Sequence, residues 1–165
     1  MPFETDGADR GDDPLIDEFG ASISGVMGWP PMAGRAAGVL MMSKGPLTLS
    51  ELQESLGASK GSVSETTRLL ITNGTVERFK APGSRQFAYR WREDAWVGCL
   101  EHQVHQAAQL LEVAQGMADR SGEMAEEQRR RVDDMHAYYT FIVQRLEEVF
   151  QEYKASREGD PPTHP

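Results

Sequence analysis

Two heptad runs in the carboxy-terminal half constrain this chain more than any other feature. Val97, Leu100, Val104, Ala107, Leu111, Ala114 and Ala118 step by alternating threes and fours, and Val132, Met135, Tyr139, Ile142, Leu146, Val149 and Tyr153 repeat the pattern. That alternation keeps side chains on one line of an α-helix, the seam of a coiled coil. Ser121-Gly122 falls between the runs and is the natural bend, so residues 93–156 read as a helical hairpin. Its two seams carry more apolar surface than one hairpin buries. The covers on offer are the first helix of the chain and a second copy, which assigns this region to homodimerisation.

Upstream the elements are shorter. Leu15, Ile16, Phe19, Ile23, Val26 and Met27 mark a helix from Pro14 or Leu15 to Met27, interrupted by Trp29-Pro30-Pro31. Pro31 suits the first turn of a second helix, Met32 to Met42, which Lys44-Gly45-Pro46 ends. Ala33, Gly34, Ala36, Ala37 and Gly38 give that helix a surface small enough for close packing. Leu47-Thr48-Leu49 is short and extended. Ser50 and Gln53 have capping-box spacing, which predicts a third helix from Ser50 to about Gly57 with Leu52 and Leu56 inward. Ser59 is the expected N-cap of a fourth helix that runs to Asn73-Gly74; Ser62 with Glu65 is a competing start one turn later. Thr75–Lys80 and Gln86–Arg92 read as strands, with Phe87, Tyr89 and Trp91 on one face and Pro82-Gly83-Ser84-Arg85 turning between them.

The expected organisation is a disordered acidic segment over 1–13, packing helices over 14–45, a compact motif over 46–92, the hairpin over 93–156 and a disordered tail over 157–165. The fold class is mainly α with a small β-hairpin wing. Helix, helix and hairpin within 46–92 make a winged helix-turn-helix, in which the third helix props the fourth so that its start can enter a DNA major groove.

Charge supports that use. The 165 residues carry 17 basic and 26 acidic side chains, a net of −9. Residues 46–92 hold two lysines and five arginines against four glutamates, a local +3; the ten basic and 22 acidic residues elsewhere leave −12. A basic middle in an acidic chain is what a local phosphate-binding face requires. The start of the fourth helix offers Ser59, Lys60, Gly61, Ser62 and Ser64, and a wheel anchored on Val63 turns Lys60, Gly61, Ser64 and Arg68 outward. Glu65 shares that face and suits only a cytosine amino group. Thr67 and, on the wing, Ser84 and Arg85 complete the candidate DNA contacts. Arg85 on its turn reaches toward a minor groove or phosphate.

Other chemistries are poorly served. No run of about 18 apolar residues spans a bilayer. MPFETDGADRGDDP lacks the basic and apolar regions of a signal peptide, so a cytoplasmic protein is expected. No nucleophile–base pair, glycine-rich phosphate loop or spaced carboxylate pair is present, so no enzyme and no cofactor is expected. Cys99, His102 and His105 share a helix but are too few for a closed metal site. Trp29, Trp91 and Trp96, with Tyr138 and Tyr139, could line a pocket for a quaternary amine through cation–π contacts, an effector site set against ordinary packing. A winged-helix module for protein contacts is the alternative to DNA binding.

The segments PPMAGRAAGVLMMS and LTLSELQESLGASKGSVSETTRLLITNGTVERFKAPGSRQFAYRW resemble the MarR-type bacterial regulators, and most closely their GbsR-like branch. The resemblance runs from about Phe19 to Trp96 and is strongest over LGASKGSVS and VERFKAPGSR; the long carboxy-terminal helices are similar in pattern only. It implies a homodimer, a palindromic operator in double-stranded DNA, and repression often relieved by a small molecule. It implies DNA-contact roles for Ser59, Lys60, Ser62, Ser64, Arg68 and Arg85. Thr72-Asn73-Gly74-Thr75 departs from the leucine-rich helix end usual there, which is expected to weaken the local core.

Overall fold

A computed structural model describes residues 13–159. Its elements in order are α1 (Pro14–Met27), α2 (Pro31–Met42), β1 (Leu47–Thr48), α3 (Leu49–Leu56), α4 (Lys60–Thr72), β2 (Val76–Lys80), β3 (Phe87–Trp91), α5 (Ala95–Ala118), a 3₁₀ turn (Ser121–Glu123) and α6 (Glu126–Glu158). The chain is mainly helical with one small antiparallel sheet, ordered β1-β3-β2. It divides after Ala95 into two units. The disordered ends expected from the sequence fall mostly outside the described residues. Within them, Asp13 caps α1 through a bond from the Leu15 N–H, and Arg157 and Glu158 extend α6 rather than beginning a tail.

In the first unit α1 and α2 cross at a spot built from small residues. Gly20, Gly34 and Gly38 lie in the crossing, where added Cβ atoms have no room: one at Gly34 would overlap Ser24 Oγ and the Gly20 carbonyl oxygen, and one at Gly20 would stand 3.0 Å from Arg35 Cα. Ser24 is buried there, its hydroxyl donating to the Pro30 carbonyl. Ile16, Ala36, Ala37 and Leu40 then join Leu52, Val63, Leu70, Val76 and Tyr89 in one core.

The start of α3 corrects the sequence reading. Thr48, and not Ser50, is the N-cap, and its capping-box partner is Glu51 rather than Gln53. Both pairs have the required spacing. The choice falls to β1, whose pairings Leu47↔Tyr89 and Thr48↔Ala88 hold the chain extended as far as Thr48 and no further. Gly57, at φ 58°, closes α3 in the left-handed region that favours glycine.

The polar end of α4 also differs from expectation. Asn73 Nδ2 donates to the Leu69 carbonyl, and the fully buried Thr75 sends both its N–H and its hydroxyl to the Leu70 carbonyl. In place of a leucine-rich end stands one whose polar groups are hydrogen-bonded back to the last turn of the helix.

In the second unit the seam residues are the least exposed line of each helix. Ala107, Ala114 and Val132 are buried and the others half-buried, except Val149, which is exposed. Leu110, Val113, Tyr138 and Phe141 stay exposed beside the seams. The bend at Ser121-Gly122 is the 3₁₀ turn.

Candidate nucleic-acid interface

Helix α4 presents two faces at helical spacing. Val63, Thr66, Thr67 and Leu70 are buried, while Lys60, Gly61, Glu65 and Arg68 are exposed and Ser62 and Ser64 are half-buried. Ser59 caps the helix, its Oγ accepting from the Ser62 N–H at 3.3 Å, which leaves the hydroxyl hydrogen available to an acceptor in solvent. The competing start at Ser62 is not used. Ser59→Ala is accordingly expected to cost about 1 kcal/mol of stability, read from the denaturation midpoint, since Ala lacks the cap acceptor.

Thr67 is a correction. It is 2% exposed and its hydroxyl donates to the Ser64 carbonyl, so it cannot reach DNA from this conformation. Its place four residues after Val63 already puts it on the buried face. Gly61, in contrast, is open: a Cβ there would meet only Ser59 Oγ, at 4.0 Å. Among the described residues nothing demands glycine at this position.

The wing tip is a turn over Ala81-Pro82-Gly83-Ser84, closed by the Ser84 N–H on the Ala81 carbonyl, with Gly83 at φ 77°. Proline followed by a left-handed glycine is the type II pattern. Ser84 Oγ then accepts from the Gln86 N–H at 3.0 Å, which shapes the chain as it passes exposed Arg85. Lys60, Arg68 and Arg85 have no carboxylate partner among the described residues, whereas Arg90 pairs with Glu77 and Arg92 with Asp94. The Arg92 guanidinium, through its hydrogen bonds, holds the Asp94 carboxyl below the usual carboxylate range.

The effector and metal candidates fare differently. Trp29 is a core residue and Trp91 packs against the same core, so packing accounts for both. Trp96 is the exposed one, and it lies in the second unit. Tyr138 and Tyr139 meet edge to face, 5.0 Å between ring centres. Cys99 is buried and takes a weak bond from Gln103 Nε2. Burial, and then the neighbouring His105, lowers the pKa of His102. No three His, Cys, Asp or Glu side chains among the described residues converge on a metal position.

Two helices followed by a two-stranded wing, with β1 tying the wing back to the helices, define a winged helix-turn-helix protein. Residues 94–156 match the model of the MmpR5-like MarR family transcriptional regulators. HTH-type transcriptional regulator MmpR5 of Mycobacterium tuberculosis is 27% identical over 160 residues, covering 94% of this chain and 96% of its own. HTH-type transcriptional repressor OpcR of Bacillus subtilis is 32% identical over 80 residues, 48% of this chain and 43% of its own length. The crystal structure of a transcriptional regulator superposes with a TM-score of 0.78 at 22% identity, over 86% of this chain and 96% of that one. The chain thus has a winged-helix fold and is similar to MarR-type and other HTH-type transcriptional regulators. No helix among the described residues is long and apolar enough to cross a membrane.

Proposed function

We propose that this protein is a cytoplasmic DNA-binding repressor that acts as a homodimer on a palindromic operator, with the start of α4 in the major groove and Arg85 of the wing on the flanking backbone or minor groove. The observation that carries this reading is the set Lys60, Arg68 and Arg85, exposed on α4 and the wing tip with no internal carboxylate to neutralise them. Helix N-termini attract phosphate in the same sense. The names of its relatives, transcriptional regulator and transcriptional repressor, agree with it. The likeness of LGASKGSVS and VERFKAPGSR to the GbsR-like branch suggests that placement within the family. Gel-shift titration against fragments upstream of the chain's own gene tests it: retarded bands that outlast excess random DNA are expected, and their absence at micromolar protein contradicts it.

Homodimerisation rests on the large apolar side chains left exposed in the second unit, Leu110 and Val113 on α5 and Tyr138 and Phe141 on α6, with Phe141 at 58% exposure. Apolar surface of that extent calls for a cover. Phe141→Glu is expected to convert the dimer to monomer without lowering helix content, because Phe141 buries little within its own chain. Light scattering with circular dichroism checks it, and a wild-type monomer at micromolar concentration contradicts it.

A further inference from the structure

A groove of about 690 Å³ runs between α5 and α6, wholly within the second unit. That volume falls in the range of small-molecule sites, roughly 300–1,000 Å³. Glu101, Val104 and Ala108 line it from α5, and Gln144, Glu147 and Gln151 from α6. Each set steps by three and then four, so each is a single stripe of its helix. Val104, Ala108 and Phe150 are half-buried and give the groove an apolar floor, while Glu101 and Glu147 are exposed along its rim.

The rim carries negative charge that the chain leaves uncompensated. Glu148 also lines the groove, but both its oxygens are engaged: Arg145 Nη1 lies 2.7 Å from Oε2, and Gln144 Nε2 donates to Oε1 at 3.3 Å. Glu101 and Glu147 have no cationic partner among the described residues. The Phe150 ring already meets a cation, the Lys154 ammonium, 6.0 Å from its centre and at the edge of the contact range. A bare metal ion does not suit the groove, because no three His, Cys, Asp or Glu side chains among the described residues converge on one point. A second copy of this unit does not suit its rim either. Residues 96–165 carry 13 acidic and seven basic side chains, so a copy brings an excess of like charge.

We propose that the α5–α6 groove binds a small organic cation with an apolar body, its charge held by Glu101 and Glu147 and its body resting on Val104, Ala108 and Phe150. This binding stands independently of the DNA-binding reading above.

The test is fluorescence titration of the full-length chain, without DNA, using rhodamine 6G and fluorescein, a cation and an anion built on the same xanthene frame. Rhodamine 6G is expected to bind about tenfold more tightly or better, since the acidic rim repels fluorescein. Glu101→Gln and Glu147→Gln are each expected to weaken rhodamine 6G about two- to five-fold, as loss of an exposed ion pair does. Phe150→Leu keeps an apolar floor, removes the ring face, and is expected to weaken it by a similar factor. Glu112 is exposed on α5 outside the groove, so Glu112→Gln makes the same change in net charge and should leave affinity alone. Equal binding of the two dyes, or an equal loss in Glu112→Gln, overturns the proposal, because the charge then acts from the chain as a whole. A wild type that takes up no rhodamine 6G overturns it as well. The dye is read without DNA, so none of these results bears on operator binding.

Discussion

Gly34→Ala is expected to destabilise the first unit by about 3 kcal/mol, even though alanine is the better helix former. Two effects oppose each other. Replacing a mid-helix glycine gains at most about 1 kcal/mol from propensity. Against that, the new Cβ would occupy the space of Ser24 Oγ and the Gly20 carbonyl oxygen. One obstacle is backbone, so no rotamer change relieves it, and α1 and α2 must part. Parting them exposes Ile16, Ala37 and Leu40, which are buried across that junction. Gly25→Ala on α1 is the matched control: nothing lies within 4 Å of its Cβ, so the propensity term acts alone and stability should rise by up to about 1 kcal/mol. Urea denaturation of both variants decides it. An unchanged midpoint for Gly34→Ala means the helices do not cross as described.

The triple change of Lys60, Arg68 and Arg85 to Ala is expected to abolish measurable operator binding in a protein that stays folded. None of the three is buried or ion-paired among the described residues, so little stability is at stake. If each meets one phosphate in each half of a dimer, six contacts disappear and the salt slope falls by about five units. Affinity then drops by orders of magnitude at physiological salt. Should the folded triple variant hold its operator affinity, the DNA-binding reading fails and the protein-contact role for the winged helix takes its place.

What could be read in advance follows from how local each signal is. The bounds of α1, the Ser59 cap, the wing turn and both heptad lines came from short-range periodicity and from residues such as Pro82-Gly83 with few conformational options. Features set by distant pairing did not. The third helix is capped by Thr48 and begins at Leu49 because β1 joins β3, a partner some 40 residues along the chain, and two equally spaced caps offered no local reason to choose. Trp29 could be a cage or a core residue until the helices around it are placed. The grip of Arg78 and Lys80 on Phe87 depends on strand register, which a strand's own sequence leaves open. Thr67 stands apart, since the wheel that turned Arg68 outward turns Thr67 inward. The carboxy-terminal helices reverse an emphasis: similar in pattern only to the eye, they are the segment that the MmpR5-like family model matches.

Selection of fragments from the source genome by the purified, unmodified protein, followed by sequencing of what is retained, tests DNA binding most directly. The account predicts a small set of enriched fragments that share a two-fold-related sequence, with half-site centres about one helical turn, roughly 34 Å, apart. A folded protein that enriches no sequence over input DNA would contradict it.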